Sequence, residues 1–289
     1  MAAYTALEIA VLLAVTLVYA LFDVFNKRNI PDKVVYATLV IGIVTAVLFN
    51  YSIILLDFAI AAIVALLGFL VYRSGYLGGG DVLELVFIAL VLPIQASSYL
   101  NGMSQLNIPF IVSVIIGAGY TAALFIPIYY ILYKRILAGK KLSRPRGRNM
   151  LLGAVLLVTY TMFAFAFSYL SAMGIVAAVI VMSLAVASCI SIVFEHDIYQ
   201  EMTSMIYPKA LEEGDMIAIN IMSQEDLDYF RKAYPAFGRL ATASSISKMK
   251  GIKRKLPVYR NSVPFSLFIF LGVVISLSLG NLVLTLLNI

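Results

Sequence analysis

Long apolar stretches alternate with short polar ones along this chain. Runs of about 17 to 25 residues with few or no charges are each long enough to cross a hydrocarbon core about 30 Å thick as a helix. They recur at 3–22, 34–50, 52–72, 82–98, 108–133, 150–170, 175–195 and 265–288. The pattern predicts eight transmembrane helices. Only "SAMG" (171–174) separates the sixth run from the seventh. Taken together they would make a helix of about 45 residues, twice the need of a bilayer, so a tight helical hairpin is expected instead. Residues 197–262 break the apolar pattern. Within them "DMIAINIM" (215–222) has the composition of a strand, and "SQEDLDYFRKAY" (223–234) opens on a Ser-x-x-Asp capping pattern and predicts a helix. The expected fold is an all-α polytopic membrane protein of about eight transmembrane helices with a small cytoplasmic α+β insert.

Composition strengthens the membrane reading. Of 289 residues 62% are hydrophobic and 12% charged, whereas a soluble domain carries about a quarter charged. No small-residue cleavage site follows a short apolar segment at the N-terminus, so the first run is read as a retained span. Charge then orients the bundle. All 21 Lys and Arg lie at 27–33, at Arg73, at 134–148 and at 209–260. With eight spans these segments fall on one side, which the positive-inside rule makes cytoplasmic, leaving both termini and the 99–107 loop outside. Merging the sixth and seventh runs would put basic residues on both faces. Cys189 is the single cysteine and His196 the single histidine. That excludes an internal disulfide, a CxxC redox pair and a cysteine or histidine metal centre, and no cofactor is expected.

Carboxylates in or beside a bilayer are costly and mark candidate chemistry. Glu8 and Asp57 lie one to two turns inside the outer ends of their spans, where the expected role is reaching the headgroups or making a structural hydrogen bond. Asp23 and Asp81 lie instead at cytoplasmic ends, Asp23 ahead of "VFNKRNIPDK" and Asp81 closing "GGGD" (78–81). Gly78, Gly79 and Gly80 allow positive φ and close approach of another chain. A phosphate loop would want a following Lys and Ser/Thr, which "GGGDVLEL" lacks. Two readings stay open on residue chemistry: a helix start capped by Asp81, or a catalytic aspartate beside an open backbone slot. Two aspartates brought together cannot both ionise easily. The ionised one can take a proton from water while the protonated one polarises a carbonyl, which is aspartic peptide hydrolysis.

"GGGD" opening the fourth span, with an Asp ending the first span ahead of "NIPD" (29–32), resembles the type IV prepilin peptidase family, and within it the archaeal preflagellin peptidases. The likeness covers roughly the first 135 residues. It implies a membrane aspartic endopeptidase that removes short basic leaders from prepilin- or preflagellin-like precursors at the cytoplasmic face, with Asp23 and Asp81 as the catalytic pair. The expected partners are those precursors and membrane lipids, not nucleic acid. The chain then divides into a catalytic membrane core (1–135), a basic loop with two additional helices (136–196), the insert (197–262) and a last membrane helix (263–289). Leu83 stands where family members carry a lysine, and Phe25 where an arginine is common. The segment from Asp23 to Ile30-Pro31 is about one residue longer than is usual in the family. Without paired CxxC motifs or an adenosylmethionine loop, the N-methylation of bacterial relatives is not expected.

Glu84 shares a helix face with Asp81. It is expected to tune the pair, to contact a basic leader, or to be satisfied by a neighbouring hydroxyl. The run "KMKGIKRKLPVYR" (248–260) reads as a positive-inside anchor that could also bind anionic lipid. Glu212, Glu213 and Asp215 are the better candidates for holding a basic leader. Two other classes compete. A presenilin-type intramembrane protease shares Gly-x-Gly-Asp but needs a Tyr-Asp pair and a Pro-Ala-Leu motif; here Phe22 precedes Asp23 and no Pro-Ala-Leu occurs. A carboxylate-dependent transporter would place its acids at mid-depth among repeats, and no repeat is evident.

Overall fold

The computed structural model describes residues 2–26, 30–74, 77–92, 108–137, 139–169, 175–235, 237–260, 263–280 and 282. Each of the eight apolar runs forms a helix: α1 (Ala2–Phe25), α2 (Asp32–Phe49), α3 (Ile54–Arg73), α4 (Gly79–Val91), α5 (Phe110–Ile128), α6 (Gly147–Tyr169), α7 (Ile175–Val193) and α11 (Phe265–Leu279). Five of them, α1, α2, α3, α5 and α6, are long and apolar enough to cross a membrane. A sixth span results if α7 is joined to α8 (Glu195–Met202), from which it bends by 77°. α4 and α11 are shorter, so eight full spans are not established among the described residues. The expected 99–107 loop, the "SAMG" turn and the last part of the fourth run lie outside those residues. The chain is a multi-pass membrane protein built mostly of helices.

α4 sits at the centre. It touches α1, α2, α3, α5 and α11, and from Glu84 to Val91 every residue is buried. A helix that is apolar on all sides is one that neighbours enclose, and its sequence "LVFIALV" (85–91) fits that position. Small residues bring the backbones close. A Cβ on Gly68 of α3 would lie 2.6 Å from Val82 Cγ1, and one on Gly42 of α2 would lie 3.0 Å from Phe87 Cδ2. α5 and α11 cross with Gly117 against Gly272, where a Cβ on Gly272 would fall 2.5 Å from the Val114 carbonyl oxygen. Such contacts serve helix association in lipid, where no hydrophobic force acts between helices. Leu12, Tyr19, Phe87, Phe110, Val114, Phe268 and Ile269 fill the shared core. Outward faces are apolar too: Leu151, Met162 and Phe165 on α6 and Leu55, Ile63 and Leu66 on α3 are exposed, as lipid-facing positions must be.

Beyond Pro127, whose missing N–H interrupts the helical ladder, α5 runs on as a π-helical stretch, Tyr129–Ile136. The basic loop after it docks on α8: Lys140 Nζ pairs with Glu201 at 2.8 Å, and the Ser143 N–H donates to Asp197 Oδ2 at 3.1 Å.

The insert has its own core of Leu211, Ile217, Phe230, Phe237, Met249, Leu256 and Val258. Its sheet pairs β1 (Ser204–Ile206) antiparallel with β2 (Leu256–Val258), Ser204 opposite Val258. Helices α9 (Gln224–Ala233) and α10 (Ala243–Met249) complete it. The helix expected at 223–234 is α9, and Ser223 caps it by accepting from the Asp226 N–H at 3.1 Å. The strand expected at 215–222 does not form. Met216 and Ile217 make only single bridges, to Leu240 and Val258, before a 3-10 turn at Ile219–Ile221. Upstream, the Asp215 carboxylate is held by the Glu212 N–H at 2.9 Å and by Arg260 at 2.8 Å, which fixes a turn next to Gly214 at φ 93°. Alternating apolar composition could not reveal that local competition.

Candidate active site

Three helix ends meet at the end of the bundle where the basic segments emerge. Asp23 lies in the last turn of α1, Asp81 in the first turn of α4 and Ser266 in the first turn of α11. The sequence expectation that Asp23 and Asp81 come together is met through a residue it did not name. The Ser266 N–H donates to Asp23 Oδ2 at 3.0 Å, and the Ser266 Oγ–H donates to Asp81 Oδ1 at 3.0 Å. Ser266 is 0% exposed and Asp23 is buried, while Asp81 keeps partial exposure.

Local sequence explains how each group arrives there. Gly78 has extended backbone (φ −74°, ψ 152°) and stands just before α4, with Asp81 three residues on. The Asp81 side chain therefore reaches back, and its Oδ2 accepts from the Gly78 N–H at 3.0 Å, the acidic half of a capping box. The helix-start reading is realised by this side chain, and the same carboxylate is linked to Asp23 through Ser266. Asp23 in turn accepts one of the orphan amide protons of α11, whose entry is set by Pro264. Each carboxylate thus sits at the positive end of a helix, which favours an anion by about 0.3–1 kcal/mol and more when partly buried.

The glycines work by closeness. None of Gly78, Gly79 and Gly80 has positive φ. A Cβ on Gly78 would lie 2.9 Å from Asp81 Oδ2, and one on Gly80 would lie 3.2 Å from Ile30 Cδ1. Ile30 covers Gly80 and the Asp81 carboxylate covers Gly78, while Gly79 is exposed, with Tyr72 Cε2 3.7 Å from where its Cβ would lie.

Glu84, one turn further along α4, is 0% exposed. It lies close to Asp81, Asp23 and the Ser266 hydroxyl. The hydroxyl nearest to Glu84 is that of Ser266. The Ser266 hydroxyl donates to Asp81, and among the described residues neither Glu84 oxygen has a partner within hydrogen-bond geometry. Tyr19, one turn before Asp23, is fully buried near the same acids, and its hydroxyl bonds Thr38 Oγ1 at 2.8 Å.

Glu8 and Asp57 lie at the other end of the bundle. Neither reaches outward. Asp57 is 0% exposed and Glu8 is buried beside it, and among the described residues both Asp57 oxygens and Glu8 Oε1 lack a hydrogen-bond partner. Asn50 is near, but its amide donates to the Val91 carbonyl at 3.3 Å.

In the insert, Arg260 pairs with Asp215 at 2.8 Å and approaches Glu212 at 3.6 Å, so two of the three acids proposed for a basic leader already hold a cation. The basic run is likewise built into the fold. Arg254 pairs with Glu225 and Asp226, Lys255 lies over the Tyr207 ring, and Leu256–Val258 is the buried strand β2. Among the described residues no group of three or more His, Cys, Asp and Glu could hold a metal ion.

Sequence reasoning missed Ser266, Tyr19 and Thr38. A serine two residues after Pro264 is an ordinary helix start, and nothing in the sequence links it to Asp23, 243 positions away. Comparison with known proteins places the aspartates in context. Residues 10–134 match the model of the type IV leader peptidase family, a segment that contains Asp23, Gly78–Gly80, Asp81 and Glu84 but not Ser266. No curated protein and no solved structure matches the chain significantly.

Proposed function

Residues 10–134 match the type IV leader peptidase family, and from that likeness we propose that the chain is a membrane aspartic endopeptidase with Asp23 and Asp81 as its catalytic pair. The observation that carries the reading is the shared hydrogen bonding of the two carboxylates to Ser266. Two acids from α1 and α4 are held by one residue, at a bundle end where Asp81 keeps partial exposure. In the proposed reaction the pair carries one proton. Its ionised member takes a proton from a water molecule as that water attacks the scissile carbonyl carbon. Its protonated member hydrogen-bonds the carbonyl oxygen and then supplies the proton that the leaving amine needs. The pair titrates as a unit, and the roles of acid and base belong to the pair.

The substrates are proposed to be prepilin- or preflagellin-like precursors with short basic leaders, cut at the cytoplasmic face. The concentration of all 21 Lys and Arg in segments at the Asp23/Asp81 end supports that orientation. Glu84 is proposed to act on the pair from behind, as an unpartnered acid beside Asp81. Neither a metal nor methyl transfer is part of this reading. The presenilin-type alternative and the transporter have no comparable support, because the best-held acids lie at the end of the bundle and not at mid-depth.

The test is cleavage by the purified protein of a panel of pilin-like precursors, with sequencing of the new N-termini. Asp23→Asn and Asp81→Asn are nearly isosteric and should each lose at least about a hundredfold in rate, the scale of one acid–base contribution. Normal cleavage by a well-folded Asp23→Asn protein would defeat the assignment. Orientation is tested separately with a single cysteine at exposed Ser244 in a Cys189→Ser background. Labelling of that cysteine by an impermeant thiol reagent on intact cells would place the insert, and the site with it, outside.

A further inference from the structure

We propose that Ser266 is a positioning residue for the aspartate pair, so that the last membrane helix completes a catalytic centre whose other parts lie in the first third of the chain. The inference rests on the reading of Asp23 and Asp81 as the catalytic pair.

Two donors of one residue reach two acids from two other helices: the backbone N–H goes to Asp23 Oδ2 and the Oγ–H to Asp81 Oδ1, both at 3.0 Å. The N–H and the Cα–Cβ bond of a helical residue are fixed relative to each other. The two donors therefore set the separation of the two carboxylates and not only the place of each. The position of Ser266 within α11 makes this possible. Ser and Thr inside a helix usually return their proton to a carbonyl one turn back. Here Thr16 bonds Leu12 O, Thr45 bonds Ile41 O, Thr121 bonds Gly117 O and Ser278 bonds Val274 O. Ser266 is the second residue of α11, where the residue four before it precedes the helix, so its proton is free to cross to Asp81.

The anchor is also held rigidly. The Gly117–Gly272 contact brings the α11 and α5 backbones together with no room for a methyl group, and the Leu282 N–H donates to Ser113 Oγ at 3.3 Å. Ser266 is fully buried, and Ser266→Ala would remove the hydroxyl from Asp81. Asp81 would then keep only its Gly78 amide on Oδ2, and its carboxylate could turn toward or away from Asp23. Loss of orientation lowers the chemical step more than it lowers binding.

The experiment measures kcat and KM for the full-length protein with one precursor, alongside its melting temperature in detergent. Ser266→Ala keeps the N–H to Asp23 and removes only the hydroxyl. It should lower kcat at least about tenfold with KM within about twofold, the loss expected for a hydrogen bond to a charged group acting in the chemical step. Ser266→Thr, which retains a hydroxyl, should cleave clearly faster than Ser266→Ala. Ser278→Ala, whose hydroxyl bonds only its own helix, should cleave normally. The inference is overturned if Ser266→Ala has the parent kcat per folded molecule, if its defect lies in melting temperature alone, or if the Ala and Thr variants are equally slow. Asp23→Asn and Asp81→Asn in the same assay separate the two claims. If they are inactive while Ser266→Ala is not, only the positioning role fails. If they cleave normally, the pair itself fails and the positioning role with it.

Discussion

The bundle holds two pairs of acids, one at each end, and it treats them differently. Asp23 and Asp81 accept hydrogen bonds from two backbone amides and a hydroxyl. Glu8 and Asp57, about 22 Å away by the rise from Glu8 to Asp23 along α1, have no donor on either Asp57 oxygen or on one Glu8 oxygen among the described residues. Both Asp81 and Asp57 lie in the first turn of a helix, so position relative to a helix start does not separate them. A single residue of offset does. Asp81 is the third residue of α4, from which a side chain reaches back to the amide before the helix. Asp57 is the fourth residue of α3, beyond that reach, and the 3-10 turn Tyr51–Ile53 before it uses the Ile53 amide on Asn50 O. A buried acid that donors hold can exchange a proton at a fixed place. One without donors is a burden on stability.

The comparison breaks most sharply if the two aspartates at the basic end do not act together. The double variant Asp23→Asn/Asp81→Asn should cleave within about threefold of the slower single variant, because residues acting as a unit are not additive. Multiplied losses in a steady-state assay would mean two independent roles.

Gly78→Ala comes next. A Cβ 2.9 Å from Asp81 Oδ2 must displace that carboxylate, and a cleavage loss of at least about tenfold is expected from misplacement of this kind. Gly80→Ala sharpens the point. Its new methyl meets only the flexible tip of Ile30 at 3.2 Å, so activity should stay within about threefold, as fits closeness and not positive φ. A severe Gly80→Ala defect with Gly78→Ala near normal would reverse the account of this turn.

Glu84→Gln should change kcat/KM by about three- to tenfold, since it removes an acid coupled to the pair without removing a proton-transfer group. Unchanged kcat and KM would make Glu84 part of the core and nothing more.

The smallest effect on cleavage is expected at the far end. Asp57→Asn should retain activity, and Asp57→Leu should raise the melting temperature in detergent by a few degrees, as removal of an unpartnered buried acid stabilises by about 1–3 kcal/mol. Loss of cleavage in Asp57→Asn would erase the distinction between the two pairs.

Much of the architecture was legible because it rests on local chemistry. An apolar run long enough for a span must satisfy its backbone internally, so every run identified became a helix. Ser223 with Asp226 announced α9, and "GGGD" announced the start of α4. The paired aspartates were legible only as a pattern of placement at the basic ends of their spans. The strand expected at 215–222 failed because Arg260, 45 residues on, helps to hold Asp215 in a turn, as a local pattern cannot show.

The sequence by itself determined the solvent, the helices, the sidedness of charge and the two aspartates whose positions suggested chemistry. Each of these depends on the residues of one segment and on the dielectric around it. Tertiary structure alone decided which acids acquired donors. Ser266 reached Asp23 and Asp81 because Gly117 and Gly272 let α11 pack against α5 at one depth, while α4, enclosed on every side, carried Glu84 into the interior with no hydrogen-bond partner among the described residues. Hydrogen bonds between helices depend on the depth and rotation at which they pack. Those are set by steric fit between distant segments and are not written in any one of them.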